Sequence, residues 1–491
     1  MGYFNDPWDC PGLAHLLEHT LMRGSAEQLG LFELAQQFNT ELHAFTGMYE
    51  IVFSAQVTAV YKNALRLALL SQIQAYLPSQ EVIDQEMKVI CQEFSNGHLD
   101  PVKRIQEVVK TTCNHNHPYA KFASGNVHTF AMHKTDELQD KLHELRDSIL
   151  PTLYGANNQA GYSTKCVPTE PTLFLAEHLQ KVIYVVSDTS QHKVILSVQI
   201  AKSTIQKLES LSVFMWLMNH LPKEALPSKL AQLGIISNYS VAVGLELAEE
   251  ITFDVSFFLA PSTPELLNQV CHDLLAYLSF QAKRSWDPEL CTYICTAAQI
   301  YAQTHDSTSP FSTINKADLT TIFARFVINN VRVLSLSSQA IIPSDLSAYK
   351  TPYYGTEFYI TPFTCPTAQQ NKQYPDEAMS LMTPLNLPFM HSLSMTPAVP
   401  VLDEAISNIN TARGSCVLIP DKTTSFLFEC YLSLSVDTGS ALSSVARRIW
   451  GKQLNQHLQL RFAHYLSLGS SLRVNVHQTG LTLHIKTHQC L

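Results

Sequence analysis

Three residues near the start of the chain are of the types and at the spacing that can hold and use a metal ion. In the stretch GLAHLLEHTLMRGS, His15 and His19 are four residues apart and Glu18 stands beside them, among Leu13, Leu16, Leu17 and Leu21. In a helix, positions i and i+4 lie one above the other, so both imidazoles can face one ion, with the carboxylate next to them. The order HxxEH inverts the more familiar HExxH. With 20 histidines among 491 residues, such a pattern arises by chance in roughly 4% of chains. A second element has to supply the remaining ligand before the pattern means anything.

That element is SQEVIDQEMKVICQEFSN, which follows Pro78. It reads as a helix with Glu81 and Asp84 in the first turn, where the helix dipole favours acids, and with Val82, Ile83, Met87, Val89, Ile90 and Phe94 as its apolar residues. Glu86 and Glu93 are seven residues apart and share a face. Two carboxylates on a helix otherwise suited to burial cost free energy unless something cationic meets them. Two histidines and one carboxylate make a zinc set that leaves a fourth position for water.

The elements around these helices recur along the chain. A Leu/Ala-rich helix end, a short break and two alternating strands are read at 31–57, again at 228–259 (SKLAQLGIISNYSVAVGLELAEEITFDVSFFL) and a third time at 459–485. In the second copy Ile251, Phe253, Val255 and Phe257 fall on one strand face. Copies about 200 residues apart imply duplicated domains and not a solenoid. The fold class expected is α+β, each domain a mostly antiparallel sheet covered by helices. Nine of the 24 prolines lie between Pro343 and Pro400, which marks a stiffened connection. The boundaries expected are a first domain at 1–190, a second at 191–345, a Pro-rich end and linker at 346–412, and the start of a truncated third domain at 413–491.

Composition narrows the function. Length calls for about three units at ~150 residues each. Hydrophobic residues make up 46% and charged residues 15%, as in soluble globular proteins, and no apolar run approaches the ~18 residues that cross a bilayer. A membrane partner is not expected. Acidic residues outnumber basic ones 42 to 33, giving a formal charge of -9, so nucleic acid is repelled on average. The eleven cysteines are scattered without a CxxC pair, and MGYFNDPWDC has neither the basic start nor the apolar stretch of a signal peptide. The expected location is cytoplasmic.

The sequence resembles the insulinase/pitrilysin family of inverted-motif zinc peptidases. The likeness is carried by PGLAHLLEH, QEMKVICQEF, HPYAKFASGN (117–126), PYYGTEFY from Pro352 and PLNLPFM from Pro384, in order over nearly the whole chain. The resemblance implies that His15, His19 and Glu93 hold Zn2+, that Glu18 is the general base and that Glu86 is a supporting carboxylate. It also implies peptide substrates bound as an added strand near His43 and Ala44. His43 stands where the family usually has an asparagine, so the donor-and-acceptor pair of an amide is replaced by one donor.

Several departures from the family pattern accompany the likeness. The resemblance implies strands before the zinc helix, and this sequence starts at what would be the end of the second of them, so the expectation is either a true start further upstream or a first sheet with an exposed or missing edge. The glycine-rich segment of the second domain reads NHLPKEALPSKL, and its helix LESLSVFMWLMNHL carries apolar residues where the first domain has HxxEH. The resemblance also implies a further carboxyl-terminal half that would close a chamber, and a separately encoded or missing half is the partner expected. The function implied is a zinc-dependent endopeptidase of short or unfolded peptides, represented by its amino-terminal half. The alternative is a non-catalytic subunit or scaffold of the same fold, inactive without a second half. CNHNHPY, with Cys113, His115 and His117 at alternate positions, fits an exposed extended loop better than a second metal site.

Overall fold

The computed structural model describes residues 1–155, 170–364 and the strands between 407 and 488, apart from short stretches such as 26–27, 188–190, 222–223, 261–262, 296–312 and 339–341 and isolated positions. The described chain divides into two compact units. The first is made of Met1–Ser190, Glu246–Glu250 and Arg332–Phe363, and the second of Gln191–Leu245, Ile251–Val331 and Thr364–Leu491.

In the first unit, α1 (Leu13–Arg23) and α2 (Leu31–Gln36) precede a hairpin of β1 (Leu42–Thr46) and β2 (Ile51–Ala55), followed by α3 (Lys62–Ala75), α4 (Gln80–Asn96), α5 (Pro101–Thr111), α6 (Val127–Phe130) and α7 (Thr135–Gly155). Helix α4 starts where Ser79 accepts a hydrogen bond from the Val82 amide, and α5 where Asp100 accepts one from Val102 with Pro101 at the first position. Both are sequence-encoded starts that satisfy orphan amides. The core forms where Leu13, Leu16, Leu17 and Leu21 of α1 meet Ile83 and Ile90 of α4 and Leu138 and Leu142 of α7. Each such side chain adds about 1.5–3 kcal/mol on burial, which is what holds α1 and α4 together despite their polar faces. The hairpin pairs antiparallel with Ala44 opposite Phe53. Strands β3 (Lys181–Val186), β7 (Val331–Ser337), β8 (Ala348–Lys350) and β9 (Glu357–Pro362) lie in the order β7-β3-β9-β8. Here β3 runs parallel to β7 and antiparallel to β9.

The second unit repeats the element order of the first. It has α8 (Glu209–Asn219), α9 (Leu226–Gln232), a strand pair β5 (Ile236–Glu246) and β6 (Glu250–Leu259), and α10 (Pro264–Gln281), with β4 (His192–Ala201) beside β6. The strand alternation read at 251–257 is β6, with Ile251, Phe253, Val255 and Phe257 all buried. A five-stranded antiparallel sheet in the order β10-β11-β12-β14-β13 is built from β10 (Ser407–Thr411), β11 (Gly414–Pro420), β12 (Leu427–Ser435), β13 (Ser471–His477) and β14 (Gly480–His488). The fold is therefore α+β and mostly antiparallel, with the helix-helix-strand-strand-helix run occurring twice. The PLNLPFM motif and the helix part of the third copy lie outside the described residues. No helix among the described residues is long and apolar enough to cross a membrane.

Candidate metal centre

The approach of two glycines fixes the start of α1. Gly12 has φ +95 and Gly125 has φ +66, and a Cβ on Gly12 would meet Gly125 Cα at 2.3 Å. Only glycine fits both the backbone conformation and the space. Segment 121–126 can therefore lie against the first turn of α1, and the Ser124 carbonyl accepts a hydrogen bond from His15 Nδ1 at 2.7 Å. Asp6 completes this end: its carboxylate accepts from the Gly12 amide at 2.7 Å and the Ala14 amide at 2.8 Å. Burial pushes the Asp6 carboxyl up to about 7, against the two amide donors and the nearby Lys121 ammonium.

His15, His19 and Arg23 form one stripe on α1, one helical turn apart. The stripe faces α4, where Glu86 accepts from His19 Nδ1 at 3.1 Å with one oxygen and from Arg23 Nη1 at 2.9 Å with the other. Glu86 is thus the buried carboxylate met by cations that its position demands. Burial raises the Glu86 carboxyl, but the hydrogen bonds and charges of His19 and Arg23 outweigh it and the net direction is down. For His19, burial opposes the cation while Glu86, Glu93 and Glu18 together raise its pKa above the usual imidazole value. Burial instead lowers the pKa of His15.

Glu93, on the more exposed end of α4, completes a cluster. Its Oε2 lies 3.6 Å from His19 Nε2 and 3.9 Å from His15 Nε2, and the three ligand atoms all fall within 4.8 Å of one another. Ligand bonds of ~2.1 Å to a shared ion span such separations with little adjustment. The donor chemistry fits as well. With each Nδ1 bonded to an acceptor, Ser124 O or Glu86, the proton sits on that nitrogen and the Nε2 lone pairs are left for the ion. Glu18 is buried on the same helix, and Thr46 Oγ1 of β1 donates to its Oε2 at 2.6 Å. On one face of β1 Leu42 is buried and Ala44 and Thr46 are half-buried, while His43 on the other face is exposed.

The structure thus brings His15, Glu18, His19, Glu86 and Glu93 into one place and sets His43 and Ala44 on the strand whose Thr46 reaches Glu18. Three partners are absent from the sequence reading. Arg23 carried a readable signal, the continued spacing of four after His15 and His19. Thr46 and Ser124 carried none, since each acts across a fold-dependent contact. The CNHNHPY loop differs from expectation: Cys113, Asn114 and His117 are buried, because Asn114 is tied to the Leu173 and Thr172 carbonyls. His117 Nδ1 accepts from the Tyr119 amide, and burial lowers its pKa to about 4.

An inverted pair of helix histidines thus meets an acid from a second helix, within an α+β fold in which one run of elements occurs twice. Residues 1–125 match the model of the family described as Insulinase (Peptidase family M16). The chain is 22% identical over 546 residues to the Insulin-degrading enzyme-like 1, peroxisomal, of Arabidopsis thaliana, covering 97% of this chain and 55% of the relative. Its fold is similar to that of pitrilysin at a TM-score of 0.66 and 16% identity, over 99% of this chain and 57% of that one. A protease from Helicobacter pylori is similar at a TM-score of 0.50 and 14% identity, over 68% of this chain and 92% of that one. The chain spans about half the length of the plant relative and of pitrilysin.

Proposed function

We propose that this chain is a zinc-dependent endopeptidase of short or unfolded peptides, working as the amino-terminal half of the active unit. The reading rests on the convergence of His15 Nε2, His19 Nε2 and Glu93 Oε2 beside the buried Glu18. Those three residues would hold Zn2+, which supplies charge stabilisation of a carbonyl oxygen and an acidified water when bound. Glu18, held by Thr46, takes the proton from the attacking water and later gives it to the leaving amine. Glu86 fixes the tautomer and tilt of His19 and is itself fixed by Arg23. A peptide adds as a strand along β1, which among the described residues pairs with β2 alone. Backbone groups around His43 and Ala44 then align it with little reading of sequence. The second unit, whose α8 is apolar, serves structure and peptide binding. The scattered cysteines support a cytoplasmic setting.

A second reading is a non-catalytic subunit of the same fold. It is favoured by the chain's covering only 57% of pitrilysin, so that groups from another half could be required. Hydrolysis of a quenched peptide by the purified chain, with and without chelator and with any separately encoded second half, separates the two. Chelator-sensitive cleavage supports the peptidase; bound zinc without cleavage under any condition supports the scaffold.

A further inference from the structure

Glu107 is a buried carboxylate of α5, outside the metal cluster. Burial of such a group is costly unless both oxygens are satisfied, and here each accepts one backbone N–H: Tyr353 at 2.7 Å and Tyr354 at 2.8 Å. One turn earlier on the helix, Arg104 Nε donates to Thr356 Oγ1 at 3.3 Å. The segment gripped in this way is a closed turn. The Thr351 amide donates to the Thr356 carbonyl at 3.0 Å, the Thr356 amide donates to Thr351 Oγ1 at 2.9 Å, and Gly355 takes φ +61.

The turn holds two rings against the supports of the metal cluster. Tyr353 stacks on Phe122 with centroids 3.8 Å apart and planes 11° from parallel. Tyr354 packs on Phe94 at 5.2 Å and on Phe122 at 6.2 Å, and its hydroxyl is hydrogen-bonded to the Ser124 side chain. Ser124 is the residue whose carbonyl orients His15, and Phe94 directly follows Glu93. The clamp therefore reaches both a histidine and the carboxylate from behind.

We propose that Glu107 is a positioning residue of the metal centre: by holding the Tyr353 and Tyr354 amides it sets the 122–124 segment that orients His15 and the end of α4 that carries Glu93. The inference rests on the zinc reading above. Outer partners of metal ligands typically alter affinity by about 10–100-fold. Glu107→Gln keeps the shape but supplies one good acceptor for two amides. It is expected to weaken zinc binding about 10-fold in chelator competition and to shift the visible absorption of the cobalt(II)-substituted chain. Tyr354→Phe removes only the Ser124 bond and is expected to weaken zinc binding in the same direction by less. Both variants are to be melted without metal to establish that they are folded. Wild-type zinc affinity and cobalt spectrum in folded Glu107→Gln overturn the inference. If that variant does not fold, unchanged affinity in Tyr354→Phe overturns it. A wild-type chain that takes up no zinc sinks the zinc reading and this inference together, whereas zinc held equally by wild type and variants sinks only this one.

Discussion

The two units repeat one run of elements and treat its first helix in opposite ways. In the first unit α1 carries His15, Glu18, His19 and Arg23 on a face turned to the carboxylates of α4. In the second, α8 buries Val213, Phe214, Leu217 and Met218 completely. Phe214 there packs against Phe253 at 4.8 Å, Phe323 at 5.2 Å and Phe326 at 5.4 Å. The same scaffold position can therefore be filled with apolar area, which stabilises, or with ionisable groups, which have to be desolvated and paired. The first unit offsets its polar cluster with the Leu-rich opposite face of α1 and with paired hydrogen bonds. A fold that does not need the cluster for stability keeps it for something else.

The comparison predicts that changes in α1 act on chemistry and changes in α8 on stability. The largest effect expected is that of Glu18→Gln, which should lose about 10²–10⁴ in peptide hydrolysis while elemental analysis finds undiminished zinc; cleavage at the wild-type rate would remove Glu18 from its role. Phe214→Ala should cost about 3–5 kcal/mol in urea unfolding of the second unit, with zinc content unaltered. Loss of metal in that variant would break the division between the units. Next comes Glu86→Gln, which leaves Arg23 and His19 with a neutral partner and should weaken zinc binding by about 10-fold or more in chelator competition.

A further effect concerns pH. The Asp6 carboxyl has an ordinary value of 3.8 and is raised by burial to about 7 in the folded chain. Between those values the folded chain keeps a proton that the unfolded chain has given up, so stability falls as pH rises through the window. Asp6→Asn should flatten that part of the curve, at the cost of one amide acceptor at the start of α1. Urea midpoints at about pH 5 and about pH 8 test this; an unchanged slope in the variant would place the pH dependence elsewhere.

Local chemistry made much of this legible in advance. The spacing of His15, Glu18 and His19 needs only the period of a helix, and the helix after Pro78 is announced by its acidic first turn and its apolar residues. The alternation of Ile251 to Phe257 identifies a strand for the same reason. Burial along α4 was less legible: Val89 is exposed while Glu86 is buried, because Glu86 has partners on α1 and composition alone ranks valine as the more apolar. The clamp at Glu107 was invisible, since a glutamate in a polar helix reads as a solvated residue until its acceptors are found occupied.

By itself the sequence determined which residues can share a helix face, because the rise and twist of a helix act within a few residues. Which carboxylate comes to lie beside the two Nε2 atoms and which bonds the His19 Nδ1, and which oxygen aims each imidazole, were decided by tertiary structure. The Ser124 carbonyl is 109 positions from His15 and the Thr46 hydroxyl 28 from Glu18. Those pairs come within hydrogen-bond reach only when apolar burial packs α1, α4 and β1 together and the two glycines let the backbones meet.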